Sequence, residues 1–383
     1  MLHTSYIEIS RSALEHNLNF IRDFINENVL YSSVIKGNAY GHGIEIIVPL
    51  EEDLGVRHFS VFSADEAYRV KKISRANSAI MIMGMLDKEQ LTWAIENDIE
   101  FFVFNWERLH HATTIANKLG KRAKIHVELE TGMNRTGFPL NDLPHIAHYL
   151  KQNIKHLSFH GLCTHYAGAE SIANYYRVKK QMRAFNRGIA KLKQLEIVPR
   201  LFHTACSAAL LRYPATQMDM VRVGILQYGF FPSKEVLIDY LTKTKRKKDP
   251  LHRIISWKSS VMDIKHVKTG EFIGYGTSYF ANTDMKIAII PVGYGHGFSR
   301  SLSNQGRVLI NGQMVNVIGM VNMNMMSVNI CNTKGVKKGD EVVIIGKQGD
   351  MKLTVASFSD FSDQINYELL TRLPSDLPRI TVV

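Results

Sequence analysis

Eight short apolar runs, at residues 29–35, 58–62, 79–84, 100–104, 124–129, 157–164, 200–205 and 221–228, alternate with stretches of helical periodicity. The clearest helical stretches are Asp65–Lys72, Lys88–Asn97, Arg108–Leu119 and Tyr175–Leu195. A strand followed by a helix and another strand implies parallel pairing through crossover helices. Eight such units in about 200 to 250 residues match an α/β fold of the (β/α)8 TIM-barrel kind. An open doubly wound sheet is the rival, but the G-x-G-x-x-G turn it usually carries after the first strand is missing.

Beyond the basic run Lys243-Thr-Lys-Arg-Lys-Lys248 the pattern changes. Ile254–Val267, Phe272–Phe280, Met285–Pro291, Arg307–Ile310, Met314–Gly319 and Glu341–Gly346 are β-branched-rich runs divided by glycine or asparagine turns. They predict a C-terminal all-β domain, with one helix-like stretch over Thr354–Leu370. The expected division is a barrel over residues 1–242 and a β-rich domain over 243–383.

With 383 residues, 45% hydrophobic and 21% charged, the composition is that of a globular protein. No apolar run is long enough to span a bilayer, and the first residues show no signal-peptide pattern. The three cysteines, Cys163, Cys206 and Cys331, have no metal-type spacing and form no disulfide framework. These features predict a cytoplasmic protein without a resident metal or a membrane partner. Much of the net charge of +12 falls in the run at 243–248. That run reads as a solvated linker, because nucleic-acid binding would need aromatics interleaved with the cations.

The chemistry-bearing residues collect at one end of the expected barrel. Lys36 follows the first strand in a turn rich in glycine, and a partly desolvated lysine can form a Schiff base with an aldehyde. Glu128 to Arg135 follow strand five, His165 ends strand six, His203 and Ser207 follow strand seven, and Arg222 lies in strand eight with Gly224 and Ile225 after it. The C-terminal face of such barrels carries the active site, with phosphate sites near strands seven and eight. Each residue alone has a simpler reading, Lys36 as a solvated lysine and His165 as a core histidine. Together they point to one cavity.

Val-Ile-Lys36-Gly-Asn-Ala-Tyr40-Gly-His-Gly resembles the cofactor-lysine signature of alanine racemases, the fold-type III pyridoxal-phosphate enzymes. The similarity continues through Thr-Gly-Met-Asn-Arg135-Thr-Gly, Thr-His165-Tyr-Ala, His203-Thr-Ala-Cys-Ser207-Ala-Ala, Val-Arg222-Val-Gly224-Ile225 and Tyr228-Gly. It reaches Gly-Tyr275-Gly-Thr-Ser-Tyr, Val-Gly-Tyr294, Asn-Met323 and Ile-Asn-Tyr367-Glu.

The resemblance implies that Lys36 carries pyridoxal 5'-phosphate as a Schiff base. Tyr40, Ser207 and the amides of Gly224 and Ile225 would bind the phosphate, and His203 would lie by the cofactor. Arg222 would hydrogen-bond the pyridine nitrogen. Lys36 and Tyr275 would be the two bases on opposite faces of the substrate Cα. Tyr275 would come from the partner subunit of a homodimer with shared active sites. A free phenol has a pKa near about 10, so it needs help, and His165 leading to Arg222 is the expected chain. Arg135 and the Met323 amide would face the substrate carboxylate.

The implied reaction is interconversion of L- and D-alanine, as in D-alanine biosynthesis. The alternatives are a broad-specificity, lysine or ornithine racemase, and a non-enzymatic pyridoxal-phosphate carrier, which would lack the β domain and the opposing tyrosine. Four positions depart from the family pattern. Glu128 stands where many members have a carbamylated lysine that orients the arginine matched to Arg135, and is expected to supply that charge itself. Asn324 and His296 each replace an aspartate. Ser375 falls where alanine racemases usually carry a tyrosine that walls the side-chain pocket, so activity on serine or a larger amino acid is expected.

Overall fold

The structure, a computed structural model, describes residues 3–355 and 366–383. Most of the helical stretch expected over Thr354–Leu370 lies outside them. The chain forms two compact units. One comprises Ala13–Ala39 and Ile47–His252; the other comprises Met1–Ser12, Tyr40–Ile46 and Arg253–Val383.

The first strand, β1 (Ser5–Ser10), belongs to the second unit. The next eight build the first unit's sheet: β2 (Leu30–Val34), β3 (His58–Val61), β4 (Ala79–Ile82), β5 (Glu100–Val103), β6 (Ala123–Glu128), β7 (Leu157–Cys163), β8 (Leu201–His203) and β9 (Met220–Val223). All pair in parallel in the spatial order β8-β7-β6-β5-β4-β3-β2-β9. Return segments containing helices such as Ala64–Ile73, Lys88–Glu96, Trp106–Leu119 and Tyr175–Gln194 join them.

The seam between β8 and β9 has no continuous ladder. It is bridged by Asp219 N–H to Phe202 O at 3.0 Å and Arg222 N–H to Ala205 O at 2.9 Å. The Asp219 carboxylate also accepts the Phe202 amide at 2.7 Å. The sheet is therefore a nearly closed barrel of the TIM type.

Period-two alternation sorts the strand side chains. Val221 and Val223 join Phe20, Ile21, Leu226 and Phe231 in an apolar layer with the helices. On the opposite face of the strands Met81, Phe102, Cys163 and Met220 pack together. That face also carries polar residues: Ser32, His58, Ser60, Glu100, His126 and Arg222 are all buried. Burying so many polar groups is costly unless each is hydrogen-bonded, and this set anchors the site described below.

The second unit is a mostly antiparallel sheet. Its further strands are β10 (Ile255–Ser260), β11 (Asp263–Val267), β12 (Met285–Ile290), β13 (Arg307–Ile310), β14 (Gln313–Ile318), β15 (Met326–Asn329), β16 (Glu341–Gln348), β17 (Met351–Leu353) and β18 (Arg379–Val382). The order is β11-β12-β15-β14-β13-β16-β10-β1-β18, with β17 on β16. β1 pairs antiparallel with β10 and parallel with β18.

The run Phe272–Phe280, expected as strand, is instead a hairpin bend. Phe272 and Phe280 form an isolated bridge, and Ile273 N–H bonds Tyr279 O at 3.0 Å. The cause is at the tip, where Gly274 (φ 77°) and Gly276 (φ 67°) take left-handed conformations that interrupt extended pairing.

Candidate active site

Lys36 lies two residues beyond the end of β2. Directly after it, Gly37, Asn38, Ala39 and Tyr40 all have φ between 51° and 63°. A left-handed conformation costs about 1–2 kcal/mol for each non-glycine residue, so a turn of this kind persists only where its surroundings hold it. Ala39 N–H bonds Ile35 O at 2.7 Å. The buried Glu66 accepts the Asn38 amide at 3.2 Å and the Phe62 amide at 2.9 Å. Arg69 grips the Asn38 side-chain oxygen at 2.7 Å.

Lys36 is exposed as a residue, while its amine is partly desolvated by neighbouring groups. Burial is the main force lowering its pKa, Arg135 and Arg222 add to it, and Glu66 opposes it. A lowered pKa leaves more of the amine neutral and nucleophilic.

Arg222 is buried on β9. Its Nη1 donates to both His203 Nδ1 and, at 3.0 Å, His203 O; its Nη2 donates to Thr164 O at 2.9 Å. Three of the five guanidinium N–H bonds are thus committed, leaving Nε–H and one Nη2–H. Behind it, His203 Nε2 lies 2.8 Å from His126 Nδ1, and His126 Nε2 lies 2.9 Å from Glu100 Oε2. His58 reaches the same Glu100 oxygen at 3.3 Å and holds Ser32 Oγ at 2.8 Å.

No hydrogen bond joins Arg222 to the His165 ring, where the sequence suggested a chain. Instead Arg222 holds the carbonyl of Thr164, the residue before it. Burial, then Arg222, Arg135 and Lys36, push the His165 imidazole down to about 3, so its ring is neutral at ordinary pH. Arg135 and Arg222 thus act on both the Lys36 amine and the His165 ring.

Ser207 opens the helix Ser207–Arg212. Its hydroxyl accepts the Gly224 amide at 3.1 Å, so the end of β9 and the segment after β8 meet there. Ile225 is buried beside Gly224. The two groups expected to bind phosphate, a hydroxyl and a backbone amide, are therefore adjacent.

Glu128 ends β6 and is buried. It accepts Thr136 Oγ1 at 2.7 Å and makes no ion pair with Arg135, which is exposed. Burial raises the Glu128 carboxyl; Thr136, Arg135 and Arg222 oppose it. The intervening turn is built on Glu130, whose carboxylate accepts the amides of Gly132, Met133 (2.7 Å) and Asn134 (2.8 Å).

Tyr40, Tyr275 and Met323 belong to the β unit. Tyr275 stands at the hairpin tip, 74% exposed. The Tyr294 amide bonds Asn322 O at 2.9 Å and the Gly295 amide bonds Met323 O at 2.8 Å, so the Tyr294 and Met323 loops are tied together. His296 Nδ1 accepts the Gly293 amide at 3.3 Å. Arg379 clamps the loop after Tyr40, reaching Gly41 O at 2.8 and 3.0 Å, and also bonds Ser375 O at 3.2 Å. Ser375 itself is exposed.

Glu66, Glu100 and His126 were not singled out from the sequence. The signal for the last two was present but weak: His126 precedes Glu128 by two residues and so shares its strand face, and Glu100 begins an apolar strand where a carboxylate needs partners.

A family model described as alanine racemase, N-terminal domain, matches residues 9–232, and one described as alanine racemase, C-terminal domain, matches residues 254–381. The alanine racemase of Leptospira interrogans is 32% identical over 380 residues, covering 99% of this chain and 96% of that protein. Alanine racemase 1 of Caldanaerobacter subterraneus is 32% identical over 374 residues, covering 98% and 94%. Among solved structures, alanine racemase from Clostridium difficile 630 superposes with a TM-score of 0.91 at 29% identity, covering 100% of this chain and 96% of that one. Alanine racemase from Bacillus anthracis with bound L-Ala-P gives a TM-score of 0.90 at 29% identity, with the same coverage.

Proposed function

The chain belongs to the alanine racemase family, and from that membership we propose that it interconverts L- and D-alanine with pyridoxal phosphate, using Lys36 and Tyr275 as opposed bases in a homodimer. The observation that carries this reading is Lys36 just beyond the end of β2, whose paired neighbour β9 carries the buried, oriented Arg222.

The residues present fit the cofactor. Lys36 offers a nucleophilic amine, the Ser207 hydroxyl accepts the Gly224 amide and keeps its own proton to donate to an anion, and Arg222 has uncommitted N–H bonds for a ring nitrogen. Bound there, pyridoxal phosphate would supply an electrophilic carbon for the amino group and a conjugated ring to accept electron density from Cα.

A guanidinium holds its proton with a pKa above about 12, so Arg222 would donate a hydrogen bond to a ring nitrogen without giving up a proton, which would temper the electron withdrawal the group supplies. Lys36 would move a proton on one face of Cα. Tyr275 serves the other face, and its exposure on a hairpin tip suits a group supplied to a neighbouring subunit. Arg135 holds the substrate carboxylate, together with the Met323 amide.

The test is to purify the protein and record its absorbance. A band above the protein's own that Lys36→Ala abolishes supports the reading, and its persistence in the variant sinks it. Solvent deuterium should enter Cα from both enantiomers, and Tyr275→Phe should slow exchange from one far more than from the other.

A further inference from the structure

The buried polar chain behind Arg222 works in one direction only. A guanidinium donates and never accepts, so His203 Nδ1 must accept from Arg222. The His203 ring proton then sits on Nε2 and donates across 2.8 Å to His126 Nδ1. By the same reasoning the His126 proton sits on Nε2 and donates across 2.9 Å to Glu100 Oε2. An ionised carboxylate only accepts, so the chain ends there. Reversing either ring would set two donors face to face.

We propose that Glu100 is the positioning residue of this site: its carboxylate fixes the tautomers of His126 and His203, and through them holds Arg222 as an oriented donor. Both rings are fully buried, where a wrong tautomer would leave unsatisfied groups at about 1–3 kcal/mol each. Burial depresses both histidines, with Arg222 adding to the effect at His203 and Glu100 opposing it at His126. Each ring therefore carries a single proton. Burial alone would raise the Glu100 carboxyl, but hydrogen bonds from His126 and His58 outweigh it and hold it well below the usual range. Glu100 touches neither substrate nor cofactor; it acts through two rings on Arg222. Only the consequence for the cofactor spectrum rests on the proposed role of Arg222.

The experiment is ring-nitrogen NMR of the histidine-labelled protein as purified, with its absorbance recorded alongside. His126 and His203 should each show a protonated Nε2 and a bare Nδ1, with no titration from about pH 5.5 to about 9. In Glu100→Gln the His126 Nε2–H signal should move upfield and exchange at least about tenfold faster. The absorbance maximum should shift, and kcat should fall more than KM rises. His58→Gln removes the other partner of Glu100 and should leave the His203 signals in place. A proton on Nδ1 of either ring, titration of either within that range, or a Glu100→Gln variant with unchanged ring signals would overturn the proposal. If the purified protein shows no absorbance band, the proposed function fails, while the ring-nitrogen assignment still decides this one.

Discussion

Gly161 backs directly onto His126: a Cβ placed on the glycine would lie 2.1 Å from His126 Nδ1, and 2.8 Å from the His203 Nε2 bonded to it. The β6–β7 register shifts at this point, pairing Ile125 with Phe159 and His126 with Gly161. The slip brings a residue without a side chain against the two rings. Gly161→Ala should therefore force the rings apart. Overpacking costs about 1–3 kcal/mol, so the urea midpoint should drop and racemase activity with it. An unchanged midpoint would show that the ring pair yields without cost.

Glu51 gives a pH dependence of known sign. Glu51 is fully buried, and burial pushes its carboxyl up to about 8, with Ser33 and Arg22 opposing only in part. An unfolded-chain glutamate titrates near about 4.3. The folded protein thus holds an extra proton between these values. The stability that this contributes is full below the lower pKa, declines as pH rises, and is gone above the folded value. Glu51→Gln stays neutral throughout. Its Tm should fall less than that of the wild type between pH 5 and pH 9, with the gap widening upward. Glu52 and Glu100, held low, act in acid on both proteins alike. A constant gap across the range would refute the assignment.

Glu128 is a buried carboxyl group at the end of β6, and activity should be the same in bicarbonate-free buffer as in bicarbonate. Its hydrogen bond goes to Thr136, so any influence on Arg135 acts through space. Glu128→Gln should raise KM for alanine about tenfold, corresponding to roughly 1.4 kcal/mol, with kcat nearly unchanged. Restoration of the wild-type enzyme by bicarbonate would show that a different anion is at work.

Ser375 sets the expectation for substrate choice. Its backbone carbonyl is held by Arg379 at 3.2 Å while its small side chain is exposed. Significant kcat/KM for serine beside alanine is expected, and Ser375→Tyr should shift preference toward alanine. Equal ratios in both proteins would remove Ser375 from the selection of substrate.

The eight barrel strands were legible because strands buried on both faces read as unbroken apolar runs. β4, Ala79-Ile-Met-Ile82, is such a case. The hairpin at Phe272–Phe280 was not, since its aromatics look like strand while Gly274 and Gly276 decide the backbone. Lys36, Arg135 and Arg222 stood out as cations at strand ends. Glu100 and His126 did not, because a polar residue inside a barrel reveals its purpose only when its partner on another strand is known. Their hydrogen bond spans neighbouring strands and 26 positions of sequence. β1 likewise carries no local sign that its partners are β10 and β18.

That last pairing governs the order in which the chain can be completed. Ile7 is matched with Arg379 and Ser10 with Val382, so β1 waits for a strand made more than three hundred residues later. Until then β1 has at most the β10 ladder on one side, and its apolar residues Ile7 and Ile9, fully buried in the finished fold, are less protected from other chains. Long-range pairing of this kind is slow and exposed to aggregation. Expression yield should therefore be most sensitive to truncation at the far end of the sequence, more than three hundred residues from the Lys36 turn.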